Sequence, residues 1–245
     1  MLVLLPPSET KAHGGDGLPL DLATLGFAEL TELRRSLLDA LTKLATDPPV
    51  MMAALGLGPK QADEAEHNAR LWEAPTTAAL DRYTGVLYDA LDAGSFTAAQ
   101  RDRALSRLAV GSALFGLLRA GDRIPRYRLS AGSTLPEVGT LRARWRPVLV
   151  PALEAVDGLV VDLRSGAYAA LGPAPGAVTA TVLTEQPDGS RKVVSHFNKS
   201  HKGLLARALA LTRAEPADVR GVAAVARRAG LRVEVSGPTE LVLLT

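Results

Sequence analysis

Cysteine is absent from this 245-residue chain, which removes disulfides, thiolate metal sites, iron–sulfur clusters and thiol-based peroxide chemistry together. A cytoplasmic address is the expectation that suits such a chain. Aromatics are scarce too, at 4%, so the core must be built from Leu, Val and Ala, and each of Trp72, Tyr83, Tyr88, Tyr127, Trp145 and Tyr168 carries individual weight. No run approaches the roughly 18 apolar residues that span a bilayer. The apolar start, Met1 to Leu5, stops at Pro6-Pro7 without the basic region or cleavage site of a signal peptide, so no membrane role is expected. A Gly-Lys-Ser/Thr phosphate loop is missing, and Gly14-Gly15-Asp16-Gly17 is not followed by a helix at dinucleotide-binding spacing. His196 and His201 stand five apart, off the i, i+4 spacing of a helical zinc pair, and no metalloprotease glutamate accompanies them. Neither a metal nor a flavin or other cofactor is expected.

What is present describes a folded chain. Apolar residues make up 47% and charged residues 22%, an ordinary globular balance, and the length suits one domain over residues 1–245. Net charge is +2, but it is unevenly spread. Residues 1–100 hold 7 Lys/Arg against 14 Asp/Glu, whereas residues 101–146 hold 10 Arg against 3 acids. The planar guanidinium fork favours bidentate phosphate contact, although a solvated helix face with a few ion pairs has the same composition.

Periodicity predicts a buried strand at Met1–Leu5, an amphipathic helix at about 27–46, a short helix from Pro49 to Leu55 and another opening at Pro59. Pro75 to Asp92 reads as one helix, and Thr97-Ala-Ala-Gln100 as a capping box. Strands are expected at 105–110, followed by a turn at Ser112-Ala-Leu-Phe-Gly116, at 126–129 and at 158–163, with a helix at 142–153 between the last two. A hairpin of 179–184 with 192–197 turns through Pro187-Asp-Gly-Ser190. Helices at 204–211 and 216–229 and strands at 231–235 and 240–244 close the chain. The fold class is therefore α/β, a mixed sheet surrounded by helices.

Four groups carry the functional expectation. Ala54-Leu-Gly-Leu-Gly-Pro-Lys-Gln-Ala62 joins two helices through Gly56, Gly58 and Lys60. Glycines there permit positive φ and close approach of a phosphate, which amides at a helix start then attract. A plain connector has the same sequence, and Asp63, Glu64 and Glu66 just beyond would repel a phosphate they faced. The second group sets Ser8-Glu9-Thr10-Lys11 beside Ser195-His-Phe-Asn198-Lys199-Ser-His-Lys202-Gly; the late segment leaves a strand and enters a helix, which makes either an anion site by geometry or a plain capped helix start with solvated lysines. The third is Arg123-Ile-Pro-Arg126-Tyr127-Arg128, in which the two later arginines share one face of an extended chain. The last is Asp162-Leu-Arg164 at a strand end, the position of ligands in open α/β sheets; Asp162 is either a general base or the partner of Arg164.

In order and spacing, these segments resemble the YaaA family of peroxide stress response proteins over essentially the whole chain. The resemblance rests on Pro6 to Lys11, Leu57 to Trp72, Tyr83-Thr-Gly-Val-Leu-Tyr88, Gly111 to Arg119, Tyr127 to Thr134, Trp145, Asp162 to Tyr168 and Ser195 to Gly203. It implies an α/β fold with a helix-hairpin-helix element at about 49–72 that binds duplex DNA and limits oxidative damage. It also implies a positively lined pocket on Lys11, Arg128, Lys199 and Lys202. Phe115 stands where the family usually has tyrosine and Asp162 where asparagine is common, and Ser200 and His201 interrupt the late basic motif.

The first functional expectation is thus a peroxide stress protein that grips duplex DNA by its backbone, without sequence preference, through Gly56, Gly58 and Lys60. The alternative is an enzyme acting on a phosphorylated or carboxylated small molecule in an anion pocket of Ser8, Lys11, Arg128, Asp162, Lys199 and Lys202, with Asp162 or Glu9 as base. An iron-sequestering or structural protein is a third class, for which only carboxylates would serve as ligands. Duplex DNA or another phosphate-bearing ligand is the expected partner.

Overall fold

The computed structural model describes residues 1–186, 190–192 and 195–245, and of 195–197 the backbone alone. β1 (Leu2–Leu5) is buried at all four positions, as an unbroken apolar run must be when both faces of its sheet are covered. α1 (Thr31–Ala45) buries Leu37, Leu38 and Leu41. α2 (Pro48–Leu55) opens on two prolines and is capped by Asp47, whose carboxylate accepts from the Val50 N–H. α3 (Asp63–Ala69) follows a single 3-10 turn at Pro59–Gln61.

The chain continues through β2 (Thr77–Ala78), α4 (Ala79–Arg82), α5 (Val86–Leu91), α6 (Ala98–Arg107), β3 (Leu108–Ser112), β4 (Gly116–Arg119) and β5 (Arg123–Ile124). Thr97 and Gln100 form the expected capping box of α6. Residues 75–92 do not make the single helix expected of them. β2 pairs with β5 instead, and the fully buried Arg82 donates to the carbonyls of Ala12, Pro75 and Ile124. Tertiary pairing overrides helix propensity here. Residues 126–129 also depart from expectation, forming no regular element although their burial still alternates. The side chain of Asn68 takes the place of a neighbouring strand: its Nδ2 donates to Arg128 O at 2.9 Å and its Oδ1 accepts from Arg128 N–H at 2.8 Å.

Beyond lie β6 (Thr134–Leu135), β7 (Gly139–Thr140), α7 (Leu141–Glu154), β8 (Val160–Asp162), α8 (Gly166–Ala169), β9 (Val178–Glu185), β10 (Arg191–Lys192), α9 (Ser195–Leu211), α10 (Val219–Arg228), β11 (Arg232–Val235) and β12 (Glu240–Leu244). β9 and β10 pair antiparallel, Glu185 opposite Arg191. The expected second strand of that hairpin ends at Lys192, because residues 195–197 already belong to α9. Its turn at 187–189 lies outside the described residues.

The main sheet has the order β11-β12-β9-β8-β1-β3-β4, with β10 beside β9. β12, β9, β8, β1 and β3 run parallel, while β11 and β4 add antiparallel edges. β1 is bordered by β3 on one side and by β8 on the other. The chain first builds outward from β1 to β3 and only later returns to lay β8 on the opposite flank, so the carboxyl ends of β1 and β8 border a topological switch point, where open α/β sheets form their ligand crevice. α9 crosses this end and lies against α5. The contact needs Gly203, since a Cβ there would stand 2.3 Å from the Leu87 carbonyl oxygen.

Candidate functional site

The hairpin between α2 and α3 is built by a helix stop. Gly56 has φ +64° and ψ +37°, a left-handed residue closing α2. The Gly56 N–H donates to Ala53 O and the Leu57 N–H to Met52 O, the paired bonds of a Schellman ending. Gly58 differs from expectation: its φ is −84° and ψ 168°, an extended conformation open to any residue, and a Cβ there would meet nothing within 4 Å. Its N–H is held by Gln61 Oε1 at 3.2 Å, so this amide faces its own chain. Gly56, Gly58 and Lys60 are all exposed. Of the nearby acids, Glu64 is buried and bonded by Arg126 at 3.0 Å, which leaves Asp63 and Glu66 on the surface.

At the switch point lies a cavity of about 680 Å³. Ser8, Glu9 and Thr10, which follow β1, form one wall, Ser165 and Tyr168 after β8 a second, and Asn198, Lys199 and Lys202 in the first turns of α9 a third. Lys199 is exposed, whereas Lys202 is half-buried and donates one bond to Leu163 O at 3.2 Å. Burial lowers the Lys202 amine from its ordinary value, and Asp162 partly opposes this.

Lys11 stands behind the Ser8–Thr10 wall and does not line the cavity itself. Its amine donates to Ser8 O at 3.1 Å and rests over the Tyr127 ring, 4.3 Å from the centroid. Desolvation brings it down to about 8, with Glu9 opposing and Arg128 assisting. Around it the Tyr83, Tyr127 and Ser112 hydroxyls form a buried chain of two 2.8 Å bonds. Burial pushes the Tyr83 phenol up to about 12 and those of Tyr88, Tyr127 and Tyr168 upward as well.

The carboxylates expected as bases are held in ion pairs. Arg164 grips Asp162 with Nε at 2.9 Å and Nη2 at 2.7 Å and is fixed in turn by Gly172 O. Arg128 binds Glu9 at 3.0 Å. Of the two roles open to Asp162, the structure realises the pairing with Arg164. The structure therefore brings Ser8, Glu9, Lys199 and Lys202 to one cavity, puts Lys11 and Arg128 beside it, and buries Asp162 against Arg164.

The arginine segment is likewise largely committed. Arg101 pairs with Asp81, Arg107 with Glu215 and Arg123 with Asp16, Arg126 also contacts His13, and Arg119 stacks on Phe27. Arg142, Arg144 and Arg146 on α7 are exposed. Asn68, which fixes Arg128, was not singled out from sequence; its only signal is an amide on the core-facing side of a short helix. The side chain of His196 lies outside the described residues. Among the described residues no group of three or more His, Asp or Glu is placed to hold a metal ion, and no helix is long and apolar enough to cross a membrane.

Comparison with known proteins gives a consistent result. The family described as peroxide stress protein YaaA matches residues 1–234. A UPF0246 protein of Corynebacterium efficiens is 52% identical over 240 residues, covering 96% of both chains. One from Corynebacterium glutamicum is 50% identical over 96% of this chain and 95% of its own, and one from Streptomyces coelicolor 43% identical over 98% and 94%.

Proposed function

Because this chain belongs to the YaaA family of peroxide stress proteins, we propose that it acts in that response by binding duplex DNA through backbone phosphates, without sequence preference, and so limits oxidative damage to the DNA. The observation that supports this is the exposed Gly56–Lys60 hairpin: a left-handed glycine, no side chain at Gly56 or Gly58, and a lysine one residue into the turn that starts the next helical segment. A phosphate can approach such a backbone closely and meet Lys60 as its counter-charge. Gly58 N–H is already bonded and most of the arginine segment has internal partners, so each hairpin neutralises one or two phosphates and affinity is modest. Fluorescence anisotropy with a labelled duplex tests this: Lys60→Glu should weaken binding, and random-sequence competitor should displace the probe as well as its own sequence does. Equal affinity of the folded Lys60→Glu variant would refute the hairpin's role.

The cavity favours a second function, an enzyme acting on a phosphorylated or carboxylated small molecule. Its lysines and hydroxyls fit ligand binding better than acid–base chemistry, since Asp162 and Glu9 are both engaged by arginine.

A further inference from the structure

The size of the switch-point cavity and the chemistry of its walls go further than an anion site. A free phosphate needs only a few polar contacts, yet this space of about 680 Å³ lies inside the roughly 300–1,000 Å³ range of pockets that enclose drug-sized ligands. Arg164 on the β8 wall is held by Asp162, which leaves Lys199 and Lys202, near the start of a 17-residue helix whose dipole favours the same charge, as the cations open to a ligand. Lys202 gives one of its three donors to Leu163 O, leaving two for a ligand.

Away from the lysines the lining changes character. Tyr168 borders the cavity with its side chain only partly exposed. Glu9, half-exposed and clamped by Arg128, presents an oriented carboxylate beside it. An aromatic ring in the wall suits a planar group, and an oriented carboxylate accepts from hydroxyl or amino donors.

We propose that this cavity binds a nucleoside 5′-monophosphate, the phosphate on Lys199 and Lys202 and the base against Tyr168, with Glu9 accepting from the sugar or the base. This rests on the small-molecule function of the same cavity and is independent of the hairpin. Binding here involves no covalent step.

Titration calorimetry of the full chain with AMP, adenosine, ribose 5-phosphate and inorganic phosphate tests it. AMP should bind most tightly. Lys202→Met should weaken AMP about tenfold or more, as loss of a charge-assisted bond does, and Lys199→Met, at an exposed position that does not endanger folding, should weaken it in the same direction. Tyr168→Ala should weaken AMP and leave ribose 5-phosphate unchanged. If ribose 5-phosphate or inorganic phosphate binds as tightly as AMP, the nucleotide proposal fails while the anion site stands. If none of the four binds, both fail. AMP affinity unchanged in both folded lysine variants would place the ligand elsewhere and overturn the proposal. Duplex binding by the two lysine variants should match the parent, which separates this outcome from any failure of the hairpin.

Discussion

Lys11 is the residue whose environment has the clearest thermodynamic consequence. Its amine is lowered from 10.5 to about 8 by burial, so between those values the unfolded chain binds a proton that the folded chain does not, and stability from this group rises with pH. Relative to Lys11→Met, the parent should gain roughly 2–3 kcal/mol between about pH 8 and pH 10. The difference levels off near pH 10.5, where the unfolded lysine loses its proton as well; Tyr83, raised from 10.0 to about 12, acts oppositely, losing its contribution as pH rises from 10 toward 12, but does so in parent and variant alike. Urea melts of parent and variant across this range check the prediction, and parallel curves would contradict the burial of a titrating amine. Asn68 supplies a second test. Asn68→Ala leaves the Arg128 N–H and C=O without their 2.8 and 2.9 Å partners and should cost roughly 2–3 kcal/mol in the same melts; a change below half that would show that the chain at Arg128 finds other partners. Neither effect is legible in sequence, since Lys11 meets Tyr127 and Asn68 meets Arg128 only after folding. That Ser8–Thr10 and Asn198–Lys202 come together was legible, because both segments cluster Ser, Lys or Asn close to the end of β1 or the start of α9.

At the scale of elements, sequence reading succeeded where local signals agree with tertiary ones. α1 has an uninterrupted 3.6-residue stripe, α6 its capping box, and β1 an all-apolar run between punctuating residues. It failed where distant pairing decides. No strand was expected at Gly116 to Arg119, yet this segment pairs antiparallel with β3 after the turn at 113–115. The single helix expected at 75–92 is divided by the pairing of β2 with β5. The hairpin between α2 and α3 was legible as a turn, but not its inner geometry. Its two glycines look equivalent in sequence; only Gly56 is left-handed. Gly56→Val should therefore destabilise the chain by about 1–2 kcal/mol, while Gly58→Ala should stay within about 0.5 kcal/mol of the parent. Thermal melts of the two variants decide it, and equal effects would contradict the difference in backbone conformation.

For the whole molecule, a principal hydrophobic cluster runs from Leu2 to Leu243 across both flanks of the sheet, and a small one of Ala45, Met51 and Ala65 lies among the helices that carry the hairpin. We expect residues 1–245 to unfold as one unit, with Trp72, whose indole N–H donates to Asp39 on α1 at 3.1 Å, and Trp145 in the core reporting the same midpoint in single-tryptophan variants. An earlier Trp72 transition would mark the hairpin region as a separate unit. The proposed activity also belongs to this scale, because a chain of net charge +2 has little general attraction for a polyanion and must rely on a local contact. The most direct test is anisotropy of a labelled duplex with the parent and Lys60→Glu over a series of salt concentrations, with circular dichroism confirming that the variant is folded. Counterion release predicts a slope of log K against log salt of roughly −0.9 per neutralised phosphate, hence about −1 to −2 for the parent, with weaker binding and a shallower slope for Lys60→Glu. Identical affinity and slope in the two proteins would contradict DNA binding through the hairpin.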